Sequence, residues 1–203
     1  MKIVDKSNGY EDIATLFIRS RQQVIGASSI RRWAKTLPPK ATVLDLGCGT
    51  GVPVSKLLMD EGLLVYGIDA SPTLVQHFRQ NFPMAPVACE AVEDSLMFER
   101  QFDAVIAWGL LFLLPMDVQA SVLRKIAGAL PTGGKLLFTA PRQPVTWIDV
   151  MTTRESISLG TKTYKTLLRA GGLSLLEEFD DEGGNHYYHA AKIQKTGINS
   201  VEK

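Results

Sequence analysis

Three glycines at alternate positions, Gly47, Gly49 and Gly51, follow the apolar run Val43–Leu46 and precede a helical pattern that starts at Val54. Glycine tolerates positive φ and, lacking Cβ, lets a ligand lie against bare main chain. A loop of this kind that feeds a helix presents unpaired N–H groups at the positive end of the helix dipole. A second apolar run, Leu63–Ile68, ends in Asp69, about twenty residues beyond the loop, the separation at which a carboxylate on the next strand reaches the ribose of a bound nucleotide. Strand, glycine loop, helix, strand and terminal acid together predict a nucleoside-cofactor site. Near the other end of the chain, Asn185, His186 and Tyr187 follow the turn-forming run Asp180-Asp181-Glu182-Gly183-Gly184. A histidine titrates near neutral pH, so His186 is a candidate general base. The plain alternative is that Gly184 and Asn185 make a turn while His186 and Tyr187 are ordinary strand residues.

Glycine spacing separates the cofactor classes. A dinucleotide fingerprint reads G-x-G-x-x-G, with its third glycine inside the helix. Here the pattern is one residue shorter, and Asp45 stands two positions before Gly47. In that form the segment resembles motif I of the class I S-adenosylmethionine-dependent methyltransferases. The resemblance implies that Asp45, Gly47, Cys48, Gly49 and Gly51 form the cofactor loop, that Asp69 holds the ribose, and that Ala70 and Ser71 line the adenosine pocket. It implies S-adenosyl-L-methionine as cofactor and S-adenosyl-L-homocysteine as product. Glu90-Ala91-Val92-Glu93 resembles the family's acid–alanine step at the adenine, with Glu in place of the commoner Asp; Glu90 or Glu93 is the acid. In this family a helical N-terminal extension commonly covers the cofactor. Arg21 is the candidate to reach the methionine carboxylate, with Arg19 and Tyr10 behind it, and a solvated helix face is the alternative for these arginines.

Ala107 and Trp108 end the predicted fourth strand, Phe102–Trp108, at the edge where open α/β sheets bind ligands, and are expected beside the methionine half or the substrate. Trp108 could wall a flat or cationic group or be core packing. Ala107-Trp108-Gly109-Leu110 stands where methyltransferases acting on adenine or glutamine amino groups carry N/D-P-P-Y, and no Pro-Cys pair of the cytosine type is present. The acceptor is therefore expected to be a small molecule rather than a nucleic-acid base, with Trp108, Trp147, Asn185, His186 and Tyr187 as candidate substrate residues.

The elements that must position these residues follow from periodicity. Tyr10 to Leu37 carry apolar residues at helical spacing in two pieces divided by Gly26. Ser71-Pro72 predicts an N-cap with proline at the first helical position, and that helix runs to about Asn81. Val87 to Cys89 make a weak third strand, Met116 to Leu130 a helix, and Lys135 to Ala140 a fifth strand. Residues 141–160 are the least regular, and a polar stretch of that length in a compact domain predicts a substrate loop. A helix to Ala170 and a hairpin of Leu173–Phe179 with His186–Ile193 complete the pattern. The expected fold is α/β: a seven-stranded, mostly parallel, doubly wound sheet with an antiparallel last strand, in three α/β/α layers with a helical N-terminal extension. The expected division is one domain: cap 1–40, cofactor core 41–140, substrate loop 141–160, C-terminal helix and hairpin 161–194, tail 195–203.

Composition limits the function classes. At 203 residues with net charge +1, the chain has no field that would collect nucleic acid or anionic membrane. Its apolar runs are short, its first residues lack a signal-peptide core, and its two cysteines read as reduced thiols, so the expected compartment is the cytoplasm. No metal site is expected, and the expected state is monomer or homodimer. Two other functions remain open at this point: a nicotinamide-dependent oxidoreductase, disfavoured by the glycine spacing, and a non-catalytic module that binds the S-adenosyl cofactor.

Overall fold

The computed structural model describes residues 5–20 and 25–194. Among the described residues there are nine strands and six α-helices. The strands are β1 (Thr42–Leu46), β2 (Leu64–Asp69), β3 (Val87–Cys89), β4 (Ala104–Ala107), β5 (Lys135–Thr139), β6 (Pro144–Ile148), β7 (Glu155–Leu159), β8 (Leu173–Asp180) and β9 (His186–Lys192). The helices are α1 (Ala14–Ser20), α2 (Ala27–Ala34), α3 (Val54–Asp60), α4 (Pro72–Asn81), α5 (Met116–Ala129) and α6 (Gly160–Ala170). The main sheet has seven strands in the order β3-β2-β1-β4-β5-β9-β8. β1 to β5 are parallel, and β9 runs antiparallel to both β5 and β8, so β8 shares the direction of the parallel set.

The central strands are buried on both faces because helices cover both, which is why they read as continuous apolar runs. Side chains alternate between two cores. Val43, Val65, Ala104, Ile106 and Leu137 pack with Ile30 and Trp33 of α2 and with Leu57 and Leu58 of α3. Leu44, Leu46, Val105, Ala107, Leu136 and Phe138 face α5 and α6 through Val122, Ile126, Tyr164 and Leu168. The Ser71 side chain accepts the Leu74 N–H (3.2 Å) and caps α4, with Pro72 at the first helical position as expected.

Residues 141–160 correct the expectation of an irregular loop. They form an antiparallel hairpin, β6 paired with β7 from Pro144↔Leu159 to Ile148↔Glu155. Asp149 shapes its turn: Oδ1 accepts the N–H groups of Met151 and Thr152 (2.8 Å each), the local bonding that lets Asp build turns. Gln119 of α5 fastens the hairpin, donating to the carbonyls of Leu114 (2.9 Å) and Ile157 (2.8 Å) and accepting the Tyr164 hydroxyl (2.8 Å). Among the described residues no helix is long and apolar enough to cross a membrane.

His189 sits buried in β9, edge-on to Trp33 with ring centroids 6.4 Å apart, and its Nε2 has no hydrogen-bond partner among the described residues. Burial, helped by the charge of Lys135, holds its pKa below the ordinary 6.5. The native state thus keeps the ring neutral where the unfolded chain takes up a proton. Stability contributed this way is present above the unfolded pKa and falls as pH drops below it, until the folded value is passed. His189→Phe should flatten the melting temperature over that acidic limb, read by thermal melts between about pH 5 and pH 7. A limb as steep as in the wild type would exclude His189 as its origin.

Candidate active site

The glycine loop owes its shape to the tip of β2. The N–H groups of Gly47 and Cys48 both donate to the Ile68 carbonyl (2.8 and 3.1 Å). The Gly49 N–H donates to Asp69 Oδ2 and the Ser71 N–H to Asp69 Oδ1, both at 2.8 Å. The loop thereby becomes one wall of a crevice of about 320 Å³ at the carboxyl ends of β1, β2 and β4. Gly47, Gly49, Asp69, Ala70, Glu90, Val92, Glu93 and Trp108 line it, together with Leu110 and Phe112 beyond β4.

The N-terminal segment covers this crevice. Lys6, Ser7, Asn8, Tyr10 and Phe17 face into it. Three anchors hold the segment. Asp5 accepts the N–H groups of Ser7 (2.9 Å) and Gly9 (3.0 Å), and Lys6 pairs with Asp94 (2.6 Å) and Glu93 (3.5 Å). Glu11 accepts the Ser71 hydroxyl, the Thr73 N–H (3.1 Å) and the Thr73 hydroxyl (2.7 Å) at the start of α4. Burial raises the pKa of Glu11, but these hydrogen bonds together outweigh it and the net shift is downward.

A second cavity, of about 500 Å³, opens between the end of β5, the β6–β7 hairpin and the β8–β9 turn. Its wall includes Phe112, Thr139, Arg142, Trp147, Asp180, Asn185 and His186. Phe112 borders both cavities. They also meet where the Gly109 N–H, in the crevice wall, donates to the Thr139 hydroxyl at 2.8 Å.

The family model described as "Methyltransferase domain" matches residues 43–134. The chain is 30% identical over 151 residues to the ubiquinone biosynthesis O-methyltransferase of Xanthomonas axonopodis, covering 70% of this chain and 62% of that protein. It is 35% identical over 100 residues to the 2-methyl-6-phytyl-1,4-hydroquinone methyltransferase of Synechocystis, covering 48% of this chain and 31% of that one. The chain thus spans less than two thirds of either relative's length. In fold it is similar to the magnesium protoporphyrin IX methyltransferase of Synechocystis solved with bound S-adenosylmethionine, at TM-score 0.73 and 18% identity over 94% of this chain and 98% of that one. Residues 43–134 thus match a methyltransferase-domain model, within a chain of methyltransferase-like fold.

The predicted cofactor residues divide into two sets. Gly47, Gly49, Asp69, Ala70, Glu90, Val92 and Trp108 come together around the crevice. Asp45, Cys48, Gly51, Ser71, Ala91 and Ala107 do not line it. Asp45 is buried behind the loop, where its Oδ2 accepts the Ser55 hydroxyl at 2.6 Å and ties β1 to α3. Cys48 turns its sulfur toward Gly67, where a Cβ would lie 2.7 Å from it, and burial, with Asp45 and Asp69 adding to it, pushes the thiol pKa well up. Ser71 is the cap of α4, Ala91 is buried, and Ala107 is core between β1 and β5. Arg21 lies outside the described residues. Arg19 is exposed on α1, whereas Tyr10 does reach the crevice.

Of the predicted substrate residues, Trp147, Asn185 and His186 line the second cavity and Trp108 the first. Tyr187 is fully buried, stacked on Phe179 at 4.8 Å. Its hydroxyl accepts the Trp108 Nε1–H (2.8 Å) and donates to Asp181 (2.9 Å), so it fixes the Trp108 indole from behind. Burial, then the Asp181 carboxylate, push that phenol far above its ordinary range. Glu182, in the same turn, accepts the Gly26 N–H (2.8 Å) and joins the turn to the N-terminal segment.

His186 is not disposed as a free base. Nδ1 lies 3.0 Å from Arg142 Nε and 2.8 Å from Asp180 Oδ1, and Nε2 lies 3.4 Å from Glu178. In either tautomer each ring nitrogen faces a protein group. Sequence reasoning missed Asn8, Phe112 and Arg142. The Asn8-Gly9 pair was a readable turn signal, but nothing in spacing shows which way such a turn faces.

Gly51 has φ +80°, and a Cβ there would lie 2.5 Å from Phe82 and 2.8 Å from Phe78. Gly51→Ala should therefore destabilise the ligand-free protein by about 2–5 kcal/mol, from the backbone conformation and the overpacking together. That corresponds to a fall of roughly 10 °C in melting temperature for a domain of this size. An unchanged melt without ligand would mean that the glycine serves only a ligand.

Proposed function

We propose that this chain transfers the methyl group of S-adenosylmethionine to a small-molecule acceptor, with the donor in the glycine-loop crevice and the acceptor in the second cavity. The observation that carries this reading is the shared boundary: one ring, Phe112, lines both spaces, and the Gly109–Thr139 hydrogen bond joins their walls. The sulfonium supplies the activated methyl group when bound, so no side chain has to serve as a covalent nucleophile.

The crevice has features that suit the donor. Among the described residues Glu93 Oε2 and Asn8 Nδ2 are buried without a hydrogen-bond partner, and each borders the crevice through its residue. Buried polar atoms of this kind are rare unless something else satisfies them. A Cβ at Gly109 would meet nothing within 4 Å, which leaves open space beside Trp108. Asp69 would hold the ribose, Glu90 or Glu93 the adenine amino group, and Val92 the ring face. Tyr10 and Phe17 would keep water from the reacting centre. Trp108, fixed by Tyr187, would form a wall at the methyl end.

The chain's own contribution is to hold the two partners in line. Orientation of that kind contributes about 7–11 kcal/mol to a bimolecular step. The two free thiols, Cys48 and Cys89, support the cytoplasm as the compartment.

Calorimetry tests the donor assignment. The wild-type protein should bind S-adenosylhomocysteine and not NADH; the reverse result would transfer the chain to the nicotinamide enzymes. Asp69→Ala should weaken S-adenosylhomocysteine by about 1.5–3 kcal/mol, the range for removing a charged hydrogen-bonding partner. Equal affinity in the variant would remove Asp69 from the ribose.

A further inference from the structure

We infer that the second cavity selects a flat-ring acceptor bearing an ionised oxygen group, gripped by Arg142, over one bearing an amine. The inference rests on the reading that this cavity holds the acceptor. Phe112 and Trp147 form its apolar wall, with ring centroids 5.3 Å apart and planes tilted by 47°. Paired rings of this kind favour a planar group laid against them.

The polar wall presents donors. Arg142 donates Nε–H to His186 (3.0 Å) and Nη2–H to Asp180 Oδ2 (2.8 Å). A guanidinium has five N–H donors, so three remain, including both on Nη1. The contacts to His186 and Asp180 fix the plane of the fork, which is the geometry that takes an oxyanion through two parallel bonds. Thr139 adds a hydroxyl whose oxygen already accepts the Gly109 N–H, leaving its proton to donate.

An ammonium group would find a poorer site. Asp180 is the one carboxylate in the wall among the described residues, and its charge is already paired with the Arg142 guanidinium, whose Nη2–H donates to Oδ2 at 2.8 Å. Asn185 gives its amide N–H to Asp181 (2.8 Å) and offers a cation only a neutral oxygen.

The test uses protein saturated with S-adenosylhomocysteine and calorimetric titration with 4-hydroxybenzoate, its methyl ester and 4-(aminomethyl)phenol. These share a ring and differ in presenting an anion, a neutral group or a cation. The acid should bind roughly tenfold or more tighter than the other two, and Arg142→Gln should abolish that advantage while leaving S-adenosylhomocysteine affinity unchanged. Arg142→Lys should restore part of it, since the charge returns without the fork. The inference is overturned if the amine binds as tightly as the acid, if the acid keeps its advantage in Arg142→Gln, or if loaded protein binds none of the three. Failure of the wild-type protein to take up S-adenosylhomocysteine would instead bring down the methyltransferase reading beneath it.

Discussion

The carboxylate of Asp69 is the contact around which the glycine-loop crevice is built. It accepts the N–H of Gly49 from the glycine loop and the N–H of Ser71 from the approach to α4, each at 2.8 Å. Hydrogen bonds to a charged acceptor contribute about 1.5–3 kcal/mol each, so this one side chain holds two neighbouring segments in register. The same side chain lines the crevice beside the loop. The residue that shapes the loop therefore also borders the space the loop encloses.

The enclosure is completed from both ends of the chain. On one side, Glu11 grips the start of α4 and Lys6 reaches Glu93 and Asp94, bringing Tyr10 and Phe17 over the crevice. On the other, the β8–β9 turn works from behind: Asp181 and Tyr187 hold Trp108, and Glu182 holds Gly26. The parallel core between them supplies rigidity, and the less regular segments supply the walls, as expected where a scaffold carries binding loops.

The parallel core was legible in the sequence because its strands are apolar on both faces and its glycines fall at the strand-to-helix step. The loop motif was harder to divide. Asp45, Cys48 and Gly51 belong to the same short pattern as Gly47 and Gly49, yet they serve the helix start, a close approach to Gly67, and the ring of Phe82. Spacing along the chain shows that a residue is constrained, not which neighbour constrains it. The β6–β7 hairpin escaped notice for a related reason. Val145, Thr146, Trp147 and Ile148 have strand-forming side chains, but β6 is largely exposed, so no alternation of polar and apolar residues announces it. Arg142 and His186 lie 44 positions apart and meet only through the β5–β9 pairing.

One ring forms part of the boundary of two chambers. Phe112 lines the crevice and the neighbouring cavity, so a rotation that suited a guest on one side would alter the room on the other. Occupancy of the two chambers would then be thermodynamically linked. Whatever preference the first guest imposes on the second must be returned in equal measure, because linkage between binding sites is reciprocal.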